Sequence, residues 1–301
     1  MRRRLPRWLL AAAVSVLPVS APAAAHTAAP SHPLVFGGPQ QLPAALGGTE
    51  PRVAEAPDGT LFAVSAGDTS STGSSATVSV YVSHDNGATW KATDGAVPGQ
   101  VMPSPDVDIV VTRTGRLLVT ELDTVALSIV VSYSDDGGRT WTQSGGLSHL
   151  VDQDRPWLAV GPDDPGTHQP RVYLLFHNAF SGNATENMYV ETSTDGGAGF
   201  GVPIPLTQPG SDAFVDLQCG DTTGPSGLLV NQSTGRLYAF WNTRHGALGA
   251  CGLLPVQPYT IVATTRVWVA TSPDNSAGSW AQSLAVDGST AGNLVGMQFA
   301  P

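Results

Sequence analysis

One eight-residue pattern, Ser-x-Asp-x-Gly-x-x-(Trp or Phe), occurs three times in this 301-residue chain, and a looser fourth copy carries one inserted residue. At ordinary residue frequencies one match arises on the order of once in 10⁵ windows, so the recurrence indicates a repeat architecture. The residues that define the pattern are Ser83, Asp85, Gly87 and Trp90; Ser134, Asp136, Gly138 and Trp141; Ser193, Asp195, Gly197 and Phe200; and Ser272, Asp274 and Trp280.

Each copy of the pattern follows an alternating run of β-branched and aromatic residues, which is typical of a β-strand. These runs cover residues 77–82, 127–131, 187–191 and 266–270. Two shorter strand-like segments precede each run, and a further strand follows each pattern. The pattern itself predicts a hairpin turn, in which Asp caps backbone amides, Gly accepts a positive φ and the aromatic ring packs beneath.

The repeating unit is therefore predicted to be a four-stranded antiparallel sheet, and the chain an all-β propeller with four complete units. A parallel β-helix is the competing all-β repeat, but it requires shorter and more regular rungs. Residues 293–301 resemble the opening strand of a fifth unit. We expect a propeller over residues 46–301 that is incomplete at its carboxyl end, with a closed ring of four units as the alternative.

Residues 1–25 are predicted to be a secretory signal peptide, because four arginines precede an apolar run and Ala23-Ala24-Ala25 offers a cleavage site. A membrane span is the rival reading, but the run is short and contains Pro18. We expect a secreted protein with no membrane span after cleavage. Residues 26–45 are expected to form a disordered lead-in.

The charge balance bears on the partners that the chain can bind. Lys and Arg total 14 against 24 Asp and Glu, for a formal net charge of −10. This acidity makes nucleic acid a poor candidate partner. Cys219 and Cys251 are the only cysteines and are expected to form a disulfide, since an exported chain meets oxidising conditions. No histidine stands at metal-ligand spacing from them, and no cofactor fingerprint occurs, so neither a metal nor a cofactor is expected.

The repeated pattern is the Asp-box, or BNR repeat, and through it the chain resembles the sialidase superfamily over residues 46–301. The resemblance implies blades of a six-bladed ring and a turn-capping role for the pattern aspartates. A calcium loop is the alternative for Asp85-Asn86-Gly87, but the alternating ligand series is missing. In this family an arginine triad holds a sugar carboxylate, a Tyr/Glu pair is the nucleophile and an Asp is the acid/base.

Two family landmarks differ in this chain. Arg52 occupies the place of the first triad arginine, in Arg52-Val53-Ala54. The second arginine is expected after the strand that begins at Leu61, where the chain has Asp68. The acid/base Asp should lie in residues 69–77, which contain only Ser, Thr, Gly and Ala. Both departures count against sialidase chemistry.

The innermost strands of a propeller surround its axis, so charged residues beside them are expected to converge. The substrate-binding candidates are Arg52 and Arg155, whose guanidinium forks suit a carboxylate. The catalytic candidates are Asp106, Asp108 and Asp154, as acid/base groups. A structural ion pair or turn cap is the alternative for Asp154 and Arg155.

Other polar residues are weaker candidates for the site. Asp212 and Asp216 precede the cysteine-containing stretch, and solvated side chains are the alternative interpretation for both. His177 and His245 follow the second strands of two successive units, and they are interpreted as polar residues of the rim, with metal ligation as the alternative.

Two main functions remain open, with a merely structural repeat domain as a third. The first is a secreted glycoside hydrolase of exo-sialidase type that acts on an extracellular glycan or glycoprotein. The second is a non-catalytic extracellular propeller that binds carbohydrate or protein through its axial face.

Overall fold

The structure is a computed structural model that describes residues 49–66, 78–98, 103–123, 125–178, 186–218, 224–243 and 266–287. These residues belong to one compact unit, Gln40–Pro301. They form four four-stranded antiparallel sheets, and within each sheet the strands lie side by side in chain order. The all-β prediction and the four-stranded repeat are confirmed.

The four sheets are called blades 1 to 4 in chain order. Blade 1 contains β1 (Thr49–Glu55), β2 (Leu61–Ala66), β3 (Ser79–Ser83) and β4 (Lys91–Ala92). Blade 2 contains β5 (Pro103–Val111), β6 (Leu117–Asp123), β7 (Ser128–Ser134) and β8 (Thr142–Gln143). Blade 3 contains β9 (Gln153–Asp163), β10 (Pro170–Asn178), β11 (Met188–Ser193) and β12 (Ile204–Pro205). Blade 4 contains β13 (Gly224–Val230), β14 (Leu237–Thr243), β15 (Arg266–Ser272) and β16 (Ala281–Asp287).

The core lies between neighbouring blades, because each middle sheet has two apolar faces. On β6, Leu117 and Val119 pack into an apolar cluster with blade 1, whereas Leu118 and Leu122 pack into a cluster with blade 3. Alternate residues of a strand point to opposite faces, so a strand that is apolar at nearly every position is covered on both sides. The seven residues of β6 are indeed all buried.

The first strands are the innermost strands of this arrangement. β1 contacts β5, β5 contacts β9 and β9 contacts β13. The fourth strands of blades 1 to 3 are only two residues long and pair with the third strands alone. Sheets that meet along their first strands and carry their fourth strands outside are the blades of a β-propeller. The predicted propeller is confirmed, while the number of blades in the ring stays a prediction.

Antiparallel pairing gives every blade two distinct ends. At one end, here called the axial-site end, the first and third strands begin and the second strands finish. At the other end, here called the Asp-box end, lie the turns between the third and fourth strands. Because the order of strands is the same in all four blades, each chemical feature that recurs in the sequence recurs at one end.

The Asp-box turns are built from the same hydrogen bonds in blades 1 to 3. The Ser83 hydroxyl donates to Oδ1 of Asp85 at 2.8 Å and accepts the Gly87 N–H at 2.9 Å. Equivalent bonds are formed by the Ser134 and Ser193 hydroxyls. Hydrogen bonds from Thr89, with one from Ser83, lower the pKa of Asp85 to about 2. These aspartates therefore order their own turns by local capping.

The fourth turn departs from this arrangement because of its inserted residue. The Ser272 hydroxyl donates to the backbone oxygen of Asp274 at 3.2 Å. The Trp280 indole N–H donates to the Ala277 carbonyl at 3.0 Å, as Trp90 does to Gly87 in blade 1. Ala277 has φ of 54°, where the regular turns have glycine. The tryptophan contact thus survives the insertion, while the serine contact changes its acceptor.

One short helix, α1 (Asp212–Leu217), follows β12 and was not expected from the sequence. Its six residues are too few to show helical periodicity, although the Ser211 side chain caps it by accepting the Phe214 N–H at 3.2 Å. Asp216 is a weaker site candidate in the sequence, and the alternative that its side chain is solvated is wrong. Its carboxylate is buried and accepts hydrogen bonds from the Arg266 guanidinium at 3.1 Å and the Trp268 indole at 2.9 Å.

Several sequence predictions fall on residues outside the described ranges. They are the signal peptide (residues 1–25), the lead-in (residues 26–45), the Cys219–Cys251 disulfide, His245 and the start of a fifth unit (residues 293–301). Within the ranges that are described, no helix has the length and apolarity needed to cross a membrane.

Candidate functional site at the axial-site end

The predicted site residues come from three consecutive blades and lie at the axial-site end. Arg52 is on β1, Asp106 lies in the first half of β5 with Asp108 two residues further along, and Asp154 and Arg155 are near the start of β9. The pairing of each first strand with its second strand is irregular there. Bulges of this kind redirect side chains and are frequent beside functional sites. Arg52 borders the irregularity of β1, and Asp106 and Arg155 lie within those of β5 and β9.

Arg52 reaches from blade 1 to blade 3. Its guanidinium carbon lies 4.0 Å from the centre of the Trp157 ring, which is a cation–π distance. The Trp157 indole N–H in turn donates to the Pro225 carbonyl of blade 4 at 3.0 Å. The arginine is therefore held against a half-buried aromatic ring whose own position is fixed by the next blade.

Arg155 stands in a bulge that turns its side chain outward. Leu175 pairs with Trp157 and His177 pairs with Asp154, so Arg155 and Pro156 together oppose one residue of β10. Arg155 has a left-handed φ of 53°, an uncommon value for a residue with a side chain. About half of its side chain is exposed, and its Nη1 lies 3.8 Å from Oδ1 of Asp106. The bulge thus presents a guanidinium beside a carboxylate of blade 2.

Asp108 has a different position from that of Asp106. Its Oδ1 accepts the Ile109 N–H at 2.9 Å, and its Oδ2 accepts the Leu158 N–H of blade 3 at 2.8 Å. Burial raises the pKa of Asp108 to about 6, against the hydrogen bond from Leu158 and the positive charge of Arg52. Because both oxygens are buried and accept backbone bonds, this geometry favours a clamp between blades 2 and 3 over acid/base catalysis.

Asp154 is buried beside His177 rather than exposed in the site. Its Oδ2 lies 3.4 Å from Nε2 of His177, whose Nδ1 lies 3.1 Å from Oε1 of Glu186. Burial alone would raise the pKa of Asp154, but the hydrogen bond and charge of His177, together with Arg155, outweigh it and lower that pKa. Asp154 therefore belongs to a buried charged cluster beneath Arg155.

The interpretation of His177 as a rim residue is wrong, because its side chain is 1% exposed. Burial, the largest influence, would lower the pKa of His177, yet the bonds and charges of Asp154 and Glu186 raise it. One signal for this environment could be found in the sequence, since His177 directly follows the mostly apolar run from Val172 to Phe176.

Glu121 is a second buried ionisable residue that the sequence reading missed. It is 1% exposed, and neither carboxyl oxygen has a hydrogen-bond partner. Burial raises its pKa to about 8, with a smaller contribution from the charge of Asp123. A glutamate inside the otherwise mostly apolar stretch Leu117–Leu122 was the signal that could have found it.

No group of three or more His, Cys, Asp or Glu residues within the described part of the chain could hold a metal ion. What the site does contain is two guanidiniums, an aromatic ring and a partly exposed carboxylate. Blades that gather such groups at the bulged ends of their inner strands define a β-propeller with a candidate ligand site at its axial-site end.

Comparison with known proteins places this propeller in a family. The family model of the BNR repeat-like domain matches residues 45–294, and the chain belongs to that family. The sequence prediction of an Asp-box propeller of the sialidase superfamily is thereby confirmed. No curated protein matches the chain in sequence.

Similar solved structures include enzymes that act on arabinosides. The α-L-arabinofuranosidase of Fusarium graminearum is 16% identical with a TM-score of 0.51, and the match covers 79% of this chain and 66% of the enzyme. The α-L-arabinanase of Penicillium chrysogenum is 17% identical with a TM-score of 0.50, with the same coverage. The chain therefore spans just under two thirds of these proteins, and at such identities the likeness is one of fold.

Proposed function

We propose that this protein is a secreted, glycan-acting propeller and a glycoside hydrolase of exo-sialidase type. The observation that carries the proposal is the convergence of Arg52, Arg155 and Asp106 at the bulged ends of three inner strands. Guanidinium groups bind carboxylates through paired hydrogen bonds, so two of them suit a terminal sugar that bears a carboxylate. The predicted signal peptide at residues 1–25 supports an extracellular substrate.

The carboxylate that best fits an acid/base role is Asp106. Its side chain is 15% exposed and lies beside the half-exposed Arg155, whereas Asp108 and Asp154 are committed to buried contacts. An acid/base group must come within hydrogen-bond reach of the glycosidic oxygen, which a buried clamp cannot do. We therefore assign substrate binding to Arg52 and Arg155 and acid/base catalysis to Asp106.

One observation favours the second candidate, a non-catalytic propeller that binds an acidic glycan. Glycoside hydrolases ordinarily use two carboxyl groups that flank the scissile bond. Of the three aspartates singled out in the sequence, only Asp106 is placed to contact a ligand. The same two arginines would then hold the glycan without cleaving it.

The full-length protein should be tested with a fluorogenic α-sialoside and then with a panel of other glycosides. The panel should include α-L-arabinofuranosides, because one of the similar solved structures is that of an α-L-arabinofuranosidase. Turnover of the sialoside that Asp106→Asn lowers by at least about 100-fold, the usual contribution of acid/base catalysis, supports the hydrolase. Turnover of another glycoside alone corrects the substrate class.

A matched control separates site effects from general loss of charge. Arg113 is an exposed arginine at the Asp-box end, where it pairs with Asp163. Arg155→Ala should abolish turnover or binding, and Arg113→Ala should leave both unchanged. Glycan binding that requires Arg155, with no turnover of any glycoside, would replace the hydrolase by the binding propeller. Neither binding nor turnover would refute the assignment of the site.

A further inference from the structure

The cluster of Asp154, His177 and Glu186 has no part in the proposed chemistry, yet it lies directly beneath Arg155. His177 pairs across the sheet with Asp154, the residue before Arg155. Glu186 precedes β11, and its backbone carbonyl accepts the Gln218 side-chain amide at 2.8 Å. The histidine thus connects the start of β9 to the chain that enters β11.

The geometry places the His177 ring between two carboxylates. Its Nδ1 is hydrogen-bonded with Oε1 of Glu186 at 3.1 Å, and its Nε2 lies 3.4 Å from Oδ2 of Asp154, an ion-pair contact rather than an aligned hydrogen bond. A neutral imidazole has one nitrogen without a hydrogen, and its lone pair would then face an anion. The doubly protonated ring instead presents an N–H and a positive charge to both carboxylates. Arg155 adds a positive charge beside Asp154 and pairs with Asp106 of β5, and β13 contributes Gly224, which has no charge.

The backbone around Arg155 leaves little freedom for its side chain. A Cβ atom added to Gly224 would lie 2.6 Å from Cδ of Arg155 and 3.4 Å from Nε2 of His177. The Gly224 backbone of blade 4 therefore lies close to both side chains and leaves no room for a larger residue. The left-handed φ of Arg155 also requires support from its surroundings, since residues with a side chain adopt such conformations at an energetic cost.

We propose that His177 is a positioning residue, a buried imidazolium that clamps Asp154 and Glu186 and so holds the β9 bulge from which Arg155 contacts the glycan. This inference rests on the proposed function for the role of Arg155. The clamp itself is a property of the folded protein and can be measured without any ligand.

The clamp is tested first by NMR titration of the histidine side chains in the full-length protein. The His177 resonances, assigned by their absence in His177→Gln, should show both ring nitrogens protonated at pH 6.5. They should keep that state above the pH at which exposed histidines titrate. Glu186→Gln removes one anion and should lower the titration midpoint. A His177 ring that is neutral at pH 6.5, or a midpoint unchanged in Glu186→Gln, would overturn the clamp.

Thermal unfolding supplies a second measurement. The folded pKa of His177 is raised, so its stabilisation is fully present below its unfolded pKa of 6.5 and is lost as the pH rises through the folded value. The folded pKa of Asp154 is lowered, so its stabilisation is lost as the pH falls through that value. His177→Gln should therefore lower Tm by about 5–10 °C between pH 4 and pH 6.5, and by less at alkaline pH. The exposed His84 provides the matched control, His84→Gln.

The positioning role is tested with whichever glycoside or glycan the wild-type protein recognises, and with free N-acetylneuraminic acid as a fixed probe. His177→Gln should raise KM or Kd at least tenfold and leave kcat within about threefold. Loss of kcat at unchanged KM, or unchanged binding in a variant whose Tm has fallen, would overturn the positioning role. If no ligand binds the wild-type protein, the proposed function fails while the NMR and Tm results still decide the clamp.

Discussion

Replacing Glu121 by glutamine should make the protein more stable at neutral pH. The pKa of this buried carboxyl is about 8, against an ordinary value of 4.5. The folded protein therefore keeps a proton at pH 7 that the unfolded chain has released, and folding must take it up again. This proton uptake lowers the free energy of unfolding by about 1.4 kcal/mol for each pH unit above 4.5, which amounts to about 3 kcal/mol at pH 7.

The sign of this effect is unusual for a glutamate. Its folded pKa is raised, so stability declines as the pH rises from 4.5 towards 8 and then levels off. Glutamine has a similar shape and no ionisation, and like the protonated acid it carries one donor group and one acceptor group without partners. Glu121→Gln should match the wild type near pH 4.5 and exceed it by about 3 kcal/mol at pH 7.

The assay is urea unfolding followed by tryptophan fluorescence at several pH values from 4.5 to 8.5. The exposed Glu55 on β1 gives the matched control, Glu55→Gln, which should run parallel to the wild type at every pH. Equal stability of Glu121→Gln and the wild type at pH 7, with the same slope against pH, would show that Glu121 is solvated or paired and would refute the reasoning.

Three further predictions concern contacts between and within blades. Gly224→Ala should displace the Arg155 side chain, whose Cδ would lie 2.6 Å from the new Cβ. The Kd for the glycan should therefore rise while Tm changes little, and weaker binding that is accompanied by a large fall in Tm would contradict this. Ser134→Ala removes the hydroxyl that bonds Asp136 and the Gly138 N–H, and it should lower the free energy of unfolding in urea by about 1 kcal/mol. An unchanged free energy of unfolding would show that this hydroxyl does not stabilise the turn. Asp216→Ala leaves the Arg266 guanidinium without its buried acceptor and should cost about 3–5 kcal/mol by the same assay, while a cost below about 1 kcal/mol would mean that water replaces the carboxylate.

The blade architecture could be predicted from the sequence because its determinants are local. The Asp-box places a hairpin turn at a fixed distance from an alternating strand, and both signals lie within about a dozen residues of each other. The pattern of apolar residues is informative as well, since a strand that is apolar on both faces must lie between two sheets. The predicted second strands of blades 2 and 3 accordingly became β6 and β10.

The site was predictable only in part, because its decisive contacts join residues that are far apart in the chain. Arg52, Asp106 and Arg155 could be selected from their places beside inner strands. The clamp role of Asp108 depends on the Leu158 N–H of the next blade, and the burial of His177 depends on a bulge in β9. Neither a bulge nor an acceptor for a backbone amide in another sheet leaves a mark in local sequence.

The turn-forming Asp-boxes and the candidate site residues Arg52, Asp106 and Arg155 occupy opposite ends of the same blades. Mutations that alter ligand preference at one end should therefore leave the determinants of folding at the other end untouched. Such a scaffold can diversify its specificity without losing its architecture, and variants randomised at Arg52, Asp106 and Arg155 should fold in large proportion. The separation makes this propeller a suitable starting point for the directed evolution of ligand recognition.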